Sequence, residues 1–95
     1  MLGIQPDQVD DRTMVLILQG CVVAASADLL ERECLELRRS GFRVVLDLAR
    51  VVFMDRFGVK LLGRLRSTGV RIVGCVPLLA AMLADEGIAV NRTTR

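Results

Sequence analysis

The sequence predicts one α/β domain, built from a mixed sheet of four to five strands with about three helices packed on it. Its 95 residues suit a single domain, and 53% of them are hydrophobic, which is enough apolar material for one core. Strand-like and helix-like segments alternate along most of the chain, and this alternation requires parallel strands joined by right-handed crossovers. We expect residues 1–95 to form the domain, with the polar residues 91–95 frayed.

The first two strands are expected to pair antiparallel across a short turn. An edge strand is predicted around Leu2–Gln5 or near Gln8–Val9, because the proline between these segments is tolerated at a sheet edge. Asp10-Asp11 indicates a turn. The apolar run Met14–Gln19, closed by Gly20, predicts a buried strand.

The first helix is predicted between Ser26 and Gly41. Ser26 is expected to be its N-cap, because a serine hydroxyl can accept from the free amides of the first turn. Apolar residues then recur at helical spacing along one face: Ala27, Leu30, Cys34 and Leu37. Gly41 predicts a left-handed stop.

The centre of the chain predicts a long strand followed by a second helix. Val44–Leu48 is an apolar run with one polar member, Asp47, and Val51–Met54 extends its apolar character. Helically spaced apolar residues follow, and the segment ends at Gly69: Phe57, Leu61, Leu62 and Leu65. Asp47 is expected to be a satisfied strand carboxylate, with support of the Asp55 loop as the alternative.

The last third predicts another strand, a third helix and a short final strand. Val70–Cys75 alternates as a strand does. Pro77 suits the first turn of a helix, which Gly87 would stop. Ile88–Val90 is predicted to be a last short strand.

Composition excludes several classes of function. A formal charge of +2 without a basic cluster, and with no Trp or Tyr, argues against a nucleic-acid partner. No apolar run approaches the length of a membrane span. The three cysteines (Cys21, Cys34 and Cys75) are dispersed in apolar runs and His is absent, so we expect no metal site and no cofactor. Buried reduced thiols fit a cytoplasmic protein.

Catalysis is not expected. Ser26 has no histidine to activate it, and no glycine-rich phosphate loop or zinc-protease motif occurs in the chain. The sequence therefore favours a binding function over an enzymatic one.

One segment resembles a known family. Val44-Val-Leu-Asp-Leu-Ala-Arg-Val-Val-Phe-Met-Asp-Arg-Phe-Gly-Val-Lys-Leu-Leu-Gly63 is similar to the central signature of STAS domains, the anti-sigma-factor antagonist family. That signature is an apolar strand with an internal Asp, then hydrophobic-x-Phe-hydrophobic-Asp, then Ser-Ser-Gly opening a helix. Gly20, the segment Gly69–Pro77 and the pair Gly87-Ile88 also look like family positions. The resemblance implies a STAS-like fold over nearly the whole chain.

The chain departs from the family at the position of phosphorylation. The resemblance places the phosphorylated Ser or Thr directly before the helix glycine, and here that position is Phe57, preceded by Arg56. Neither side chain has a hydroxyl group, so an alignment shifted by one residue leads to the same conclusion. Val23 also stands where the family often has an acidic residue. We therefore expect docking that is constitutive with respect to phosphorylation.

The predicted partner-binding residues surround the start of the second helix: Asp55, Arg56, Phe57, Gly58, Lys60 and Arg64. Asp55 is either a plain N-cap or a partner contact as well, and Phe57 is either buried against Leu61 or an exposed interface anchor. An arginine at a helix N-terminus opposes the helix dipole, so Arg56 could serve an acidic partner or pair with Asp55, although a solvated side chain is the default. A solvated face is likewise the default for Lys60 and Arg64.

The resemblance implies a protein partner in bacterial signalling and transcription regulation. The partner would be an anti-sigma factor, a switch kinase or another component of a signalling complex. Two alternatives stay open. The domain could bind a small ligand such as a nucleotide or lipid, or serve as a transporter-associated subunit. It could also form a homodimer and act as an oligomeric scaffold.

Overall fold

The computed structural model describes residues 1–90 and contains a four-stranded mixed sheet in the order β1-β2-β3-β4. The strands are β1 (Leu2–Gln8), β2 (Thr13–Val22), β3 (Arg43–Met54) and β4 (Arg71–Val73). The helices are α1 (Ala24–Arg39), α2 (Arg56–Ser67) and α3 (Pro77–Asp85). β1 runs antiparallel to β2, whereas β2 with β3 and β3 with β4 are parallel. The predicted α/β fold with a mixed sheet and three helices is confirmed.

The three helices pack against one face of the sheet. The main core combines buried side chains of the strands, such as Leu16, Leu46 and Ile72, with helix residues such as Leu30 and Leu62. A smaller cluster, consisting of three buried valines and the half-buried Ile17, draws on strand residues alone: Val15, Val45 and Val73. The domain therefore has two layers, with the helices on the face of the main core.

The β1 strand forms one edge of the sheet and tolerates the proline there. The edge strand, predicted either around Leu2–Gln5 or near Gln8–Val9, is one continuous strand that covers the first position and reaches Gln8, and within it Pro6 lies opposite Leu16. Only the inner edge of β1 pairs with β2, so the missing amide hydrogen of proline leaves the sheet intact.

β3 is the longest strand and carries the chain to the candidate site. β4 pairs only with Val45–Asp47, so the second half of β3 has its described partner on the β2 side alone. Two register shifts interrupt the pairing of β2 with β3 before the strands end at Val22 and Met54. Because parallel strands end at the same edge of a sheet, α1 and α2 both begin there.

The prediction of Ser26 as N-cap was wrong. The helix α1 begins at Ala24, so Ser26 lies in its first turn and its Oγ accepts from the amide of Val23 at 3.2 Å. Two alanines follow Val23, and alanine has the strongest intrinsic preference for the helix. The helix can therefore start earlier than the nearest polar residue in the sequence suggests.

The predicted final strand Ile88–Val90 was also wrong, and β4 is shorter than the predicted Val70–Cys75. The amide of Ile88 donates to the carbonyl of Leu83 at 2.9 Å, which closes the end of α3. The Ile88 side chain is buried beside Gly63 of α2. An apolar residue that completes a helix end and packs on another helix gives the same sequence pattern as a short strand. The predicted frayed tail, residues 91–95, lies outside the described residues.

The predicted helix stops are confirmed at all three glycines. Gly41, Gly69 and Gly87 have φ angles of 92°, 103° and 75°, which is the left-handed region that favours glycine. In each case, the residue after the glycine donates to a carbonyl five positions earlier, as Val70 does to Leu65 at 3.1 Å.

Candidate functional site

Asp55 links the starts of the two helices at the carboxyl ends of β2 and β3. Its Oδ1 accepts from the amide of Gly58 at 2.8 Å, which is the predicted N-cap of α2. Its Oδ2 accepts from the amide of Ala24 at 3.1 Å, the first residue of α1. Asp55 therefore supplies the side-chain cap that Val23 cannot give to α1.

The electrostatic state of Asp55 follows from these bonds. The hydrogen bond from the Gly58 amide lowers the pKa of the Asp55 carboxyl below its usual value, partial burial opposes this, and the bond from Ala24 lowers it further. The carboxylate is thus held ionised by backbone donors at two helix N-termini. Both of its oxygens are engaged within the domain, which supports a structural role.

Gly58 fixes the position of α2 against the sheet. It is buried, and a Cβ atom added to it would overlap the backbone carbonyl of Val22. The amide of Asp55 also donates to that carbonyl at 3.3 Å. Only glycine allows the helix to lie this close to the end of β2. Gly58 therefore shapes the candidate surface from beneath without being exposed on it.

Phe57 is exposed at the first turn of α2. It is not buried against Leu61, because 55% of Phe57 is accessible to solvent. The ring lies beside a shallow cleft of about 200 Å³ between α1 and α2, which Ala27, Asp28 and Lys60 also line. Phe57 therefore projects outward from the start of a helix whose backbone is held by the Asp55 cap and by the contact of Gly58 with β2.

Two exposed cations flank Phe57, while a third is paired. Arg56 and Lys60 lie one turn apart on α2 and are exposed. Arg64, one further turn along, has its guanidinium 3.6 Å from the carboxylate of Glu31 on α1. This pair is largely exposed and contributes little to stability, but it directs Arg64 toward α1. Three predicted site residues therefore face solvent and form no ion pair with any residue in the range 1–90. They are Arg56, Phe57 and Lys60, and we call them the α2 tip.

The sequence did not predict the exposure at the end of β3. Val52 has 75% of its surface accessible, and Phe53 is also exposed, although both belong to the apolar extension of the strand. The second register shift with β2 falls at this point. A bulge interrupts the regular alternation of side chains between the two faces of the sheet, so two successive residues can both be exposed. No feature of the local sequence marks the position of this bulge.

The contacts of Asp47 agree with the prediction that it is a strand carboxylate with hydrogen-bond partners in the domain. Its Oδ1 accepts from the amide of Ala49 at 3.0 Å, within β3 itself. Gly74 passes so close that an added Cβ would lie 2.6 Å from the same oxygen. The carboxylate therefore organises the contact between β3 and the segment after β4.

The cysteines are free thiols in apolar surroundings. Burial raises the pKa of Cys34 to about 12 and also raises the pKa of Cys75. Both thiols are therefore protonated and poor nucleophiles near neutral pH. Within residues 1–90, no three His, Cys, Asp or Glu side chains come together as a metal site would require.

The described helices are also too short or too polar to cross a bilayer. The longest, α1, has 16 residues, whereas a transmembrane helix needs about 20.

Comparison with known proteins places this geometry in a family. The family model for the STAS domain matches residues 6–83, which is most of the chain. No curated protein sequence matches the chain.

Several solved structures share the fold. The anti-sigma factor antagonist SpoIIAA in its unphosphorylated form superposes with a TM-score of 0.78 at 21% identity, covering 98% of this chain and 90% of that one. An anti-sigma factor antagonist from Mycobacterium paratuberculosis superposes with a TM-score of 0.75 at 19% identity, and the match covers 98% of this chain and 87% of that one. The murine anion transporter Slc26a9 superposes with a TM-score of 0.59 at 17% identity, and the match covers 88% of this chain but 18% of the transporter.

Proposed function

Because the chain belongs to the STAS domain family, we propose that it is a non-catalytic protein-interaction module resembling an anti-sigma-factor antagonist. It docks through the α2 tip and is not controlled by phosphorylation there. Its partner is an anti-sigma factor, a switch kinase or another component of a signalling complex, and it acts in the cytoplasm. No step of this function needs a metal or cofactor.

The exposed ring of Phe57 is the observation that carries this proposal. Large aromatic side chains at the centre of an interface account for much of its binding energy when they enter a partner's pocket. Phe57 projects from a backbone that Asp55 and Gly58 hold in place, so binding needs little ordering of this segment. Arg56 and Lys60 surround the ring with positive charge, which suits a partner that is acidic around an apolar pocket.

The absence of a hydroxyl supports constitutive docking. A phosphate at the start of α2 would be stabilised by the helix N-terminus and would change the charge of the surface. Residues 44–66 contain no Ser, Thr or Tyr, so α2 and the strand before it offer no hydroxyl acceptor for a phosphoryl group up to Ser67. Partner binding at the α2 tip would then be set by affinity and concentration.

Site-specific photocrosslinking followed by quantitative binding tests the proposal. A photoreactive phenylalanine analogue at position 57 should capture the partner in cells, whereas the same analogue at Leu78 should not. With the purified partner, Phe57→Ala should weaken binding about 30-fold, as expected for loss of an aromatic anchor of about 2 kcal/mol.

Leu78→Ala is the matched control, because Leu78 is also an apolar residue in the first turn of a helix and has 74% of its surface accessible. It should leave the affinity unchanged. If Phe57→Ala binds the partner as tightly as the unaltered protein does, the α2 tip is not the docking surface.

A small-ligand or transporter-associated role is the second candidate. The likeness to part of the Slc26a9 anion transporter favours it, together with an open cleft between α2 and α3 that borders the α2 tip. Thermal unfolding in the presence of nucleotides and fatty acids distinguishes the two, because a ligand that binds only the folded state raises the Tm. A rise with any of these compounds would favour ligand binding.

A further inference from the structure

The cleft between α2 and α3 carries opposite charges on its two walls. It is open, has a volume of about 590 Å³ and is lined by six residues: Arg56, Val59, Lys60, Met82, Asp85 and Glu86. The two cations belong to α2, whereas the two carboxylates lie at the end of α3. Val59 and Met82, one from each helix, give the cleft an apolar middle.

These charges form no close ion pair with each other within one molecule. Among residues 1–90, the one ion pair within 4.0 Å joins Arg64 to Glu31, on the other side of α2. Arg56 and Lys60 thus stay exposed on one wall, and Asp85 and Glu86 stay exposed on the other. The surface keeps a cationic row and an anionic row side by side, each available to an external partner.

We propose that this cleft is the interface of a symmetric dimer, whose second copy places its acidic row on the basic row of the first. A twofold axis requires a patch that complements itself, so that each contact occurs twice. A basic row next to an acidic row meets this requirement. A half-turn about an axis between the two rows brings the basic row of one copy onto the acidic row of the other, and the reverse. Val59 and Met82 then lie near the axis.

The pattern favours a second copy over an unrelated partner of one charge. A uniformly acidic surface that filled the cleft and met both walls would be attracted by α2 and repelled by the end of α3, and a basic surface would meet the reverse. A second copy carries both rows at the required spacing. Because exposed ion pairs are weak, the dimer is expected to be reversible, to have a dissociation constant in the micromolar range or above, and to weaken with salt.

The dimer would also restrict the α2 tip. Arg56 and Lys60 belong to both surfaces, so self-association covers two of the three residues proposed to meet a protein partner. Self-association itself does not depend on the proposed docking function, and it can be tested with the purified protein alone.

A pair of charge-reversed variants provides the test. Arg56→Glu with Lys60→Glu makes both walls acidic, and Asp85→Lys with Glu86→Lys makes both walls basic. In sedimentation across a concentration series, the unaltered protein should dimerise, and each variant alone should show a dissociation constant raised at least tenfold. An equimolar mixture of the two variants should restore dimers that contain one copy of each.

Both variants are expected to fold, because each places a favourable charge at a helix terminus. Glutamate at position 56 lies at the N-terminus of α2, and lysine at position 85 lies at the C-terminus of α3, which are the signs that the helix dipole prefers. Their thermal unfolding should confirm that each is folded.

Arg32→Glu with Arg39→Glu on the exposed face of α1 is the matched control, because it changes the net charge by the same amount as the acidic variant. It should dimerise as the unaltered protein does. An unaltered protein that is monomeric at all concentrations overturns the proposal. A mixture of the reversed variants that stays monomeric, or a control that loses dimerisation, overturns it as well.

Discussion

The starts of α2 and α3 look alike on the surface and differ beneath it. Each helix exposes a large apolar side chain at its second residue, Phe57 in α2 and Leu78 in α3. The carboxylate of Asp55 caps α2, whereas Val76 gives α3 no side-chain cap. α2 also lies directly on the backbone of β2 through Gly58, and α3 begins with a proline after a short loop.

This difference separates a docking anchor from an exposed apolar side chain. Single exposed apolar residues are common on protein surfaces and by themselves indicate no function. An anchor on a fixed backbone loses less conformational freedom when it binds. The fixed start of α2, rather than the exposure of Phe57 alone, therefore supports the α2 tip as the interaction surface.

Removing the close approach at Gly58 should have the largest effect on the start of α2. In Gly58→Ala, the added Cβ overlaps the Val22 carbonyl, so α2 must move away from β2. We expect a loss of about 3 kcal/mol in the free energy of unfolding, or roughly 15 °C in Tm for a domain of this size. Chemical and thermal denaturation measure both quantities.

Gly63→Ala is the matched control on the same helix. There the added Cβ meets the end of the flexible Ile88 side chain at 3.1 Å, and alanine favours the helix. The free energy of unfolding should change by less than about 1 kcal/mol. Equal losses in the two variants would show that Gly58 is not a special contact with β2.

Removing the cap should make the start of α2 resemble that of α3. Asp55→Ala loses the bonds to both Gly58 and Ala24, and we expect the Tm to fall by about 10 °C. Asp55→Asn keeps an oxygen for Gly58, but its amide group cannot accept from Ala24, so about half of the loss is expected. An asparagine variant as unstable as the alanine variant would contradict the assignment of separate roles to the two oxygens.

The same carboxylate predicts a pH dependence. Because the pKa of Asp55 is lower in the folded protein than in the unfolded chain, the folded state binds fewer protons. Its contribution is complete above about pH 4 and disappears as the pH falls through the lowered value. The difference in stability between the unaltered protein and Asp55→Asn should therefore shrink in urea titrations as the pH falls below about 4.

Adding a cap to α3 should have the smallest effect, and it should make the start of α3 more like the start of α2. Val76 is partly exposed and has the extended backbone of an N-cap, so Val76→Asp can accept from the first turn without a large loss of burial. We expect a gain of about 0.5–1 kcal/mol in the free energy of unfolding relative to Val76→Ala. Equal stability of the aspartate and alanine variants would show that the start of α3 cannot use a cap.

Local patterns in the sequence were sufficient for the architecture. The alternation of strands and helices predicted the mixed sheet, and glycines predicted where each helix stops. Asp55 was predicted as the cap of α2, because an N-cap bond joins residues three positions apart and leaves a local signature.

Features that depend on distant residues were not predicted. The bond from Ala24 to Asp55 spans 31 positions, and it lets α1 begin without a polar residue of its own before the first turn. Ile88 was misassigned to a strand because its burial depends on the surface of α2 near Gly63. Exposure of Phe57 was left open, because an apolar residue at a helix start is consistent with either environment until the packing is known.

The two bonds of Asp55 also have different places in the folding process. The bond to Gly58 closes a loop of three residues and can form as soon as the first turn of α2 does. The bond to Ala24 requires β2 and β3 to be already side by side, because these strands bring the two helix starts together. One carboxylate therefore takes part first in helix nucleation and later in the docking of α1 against α2.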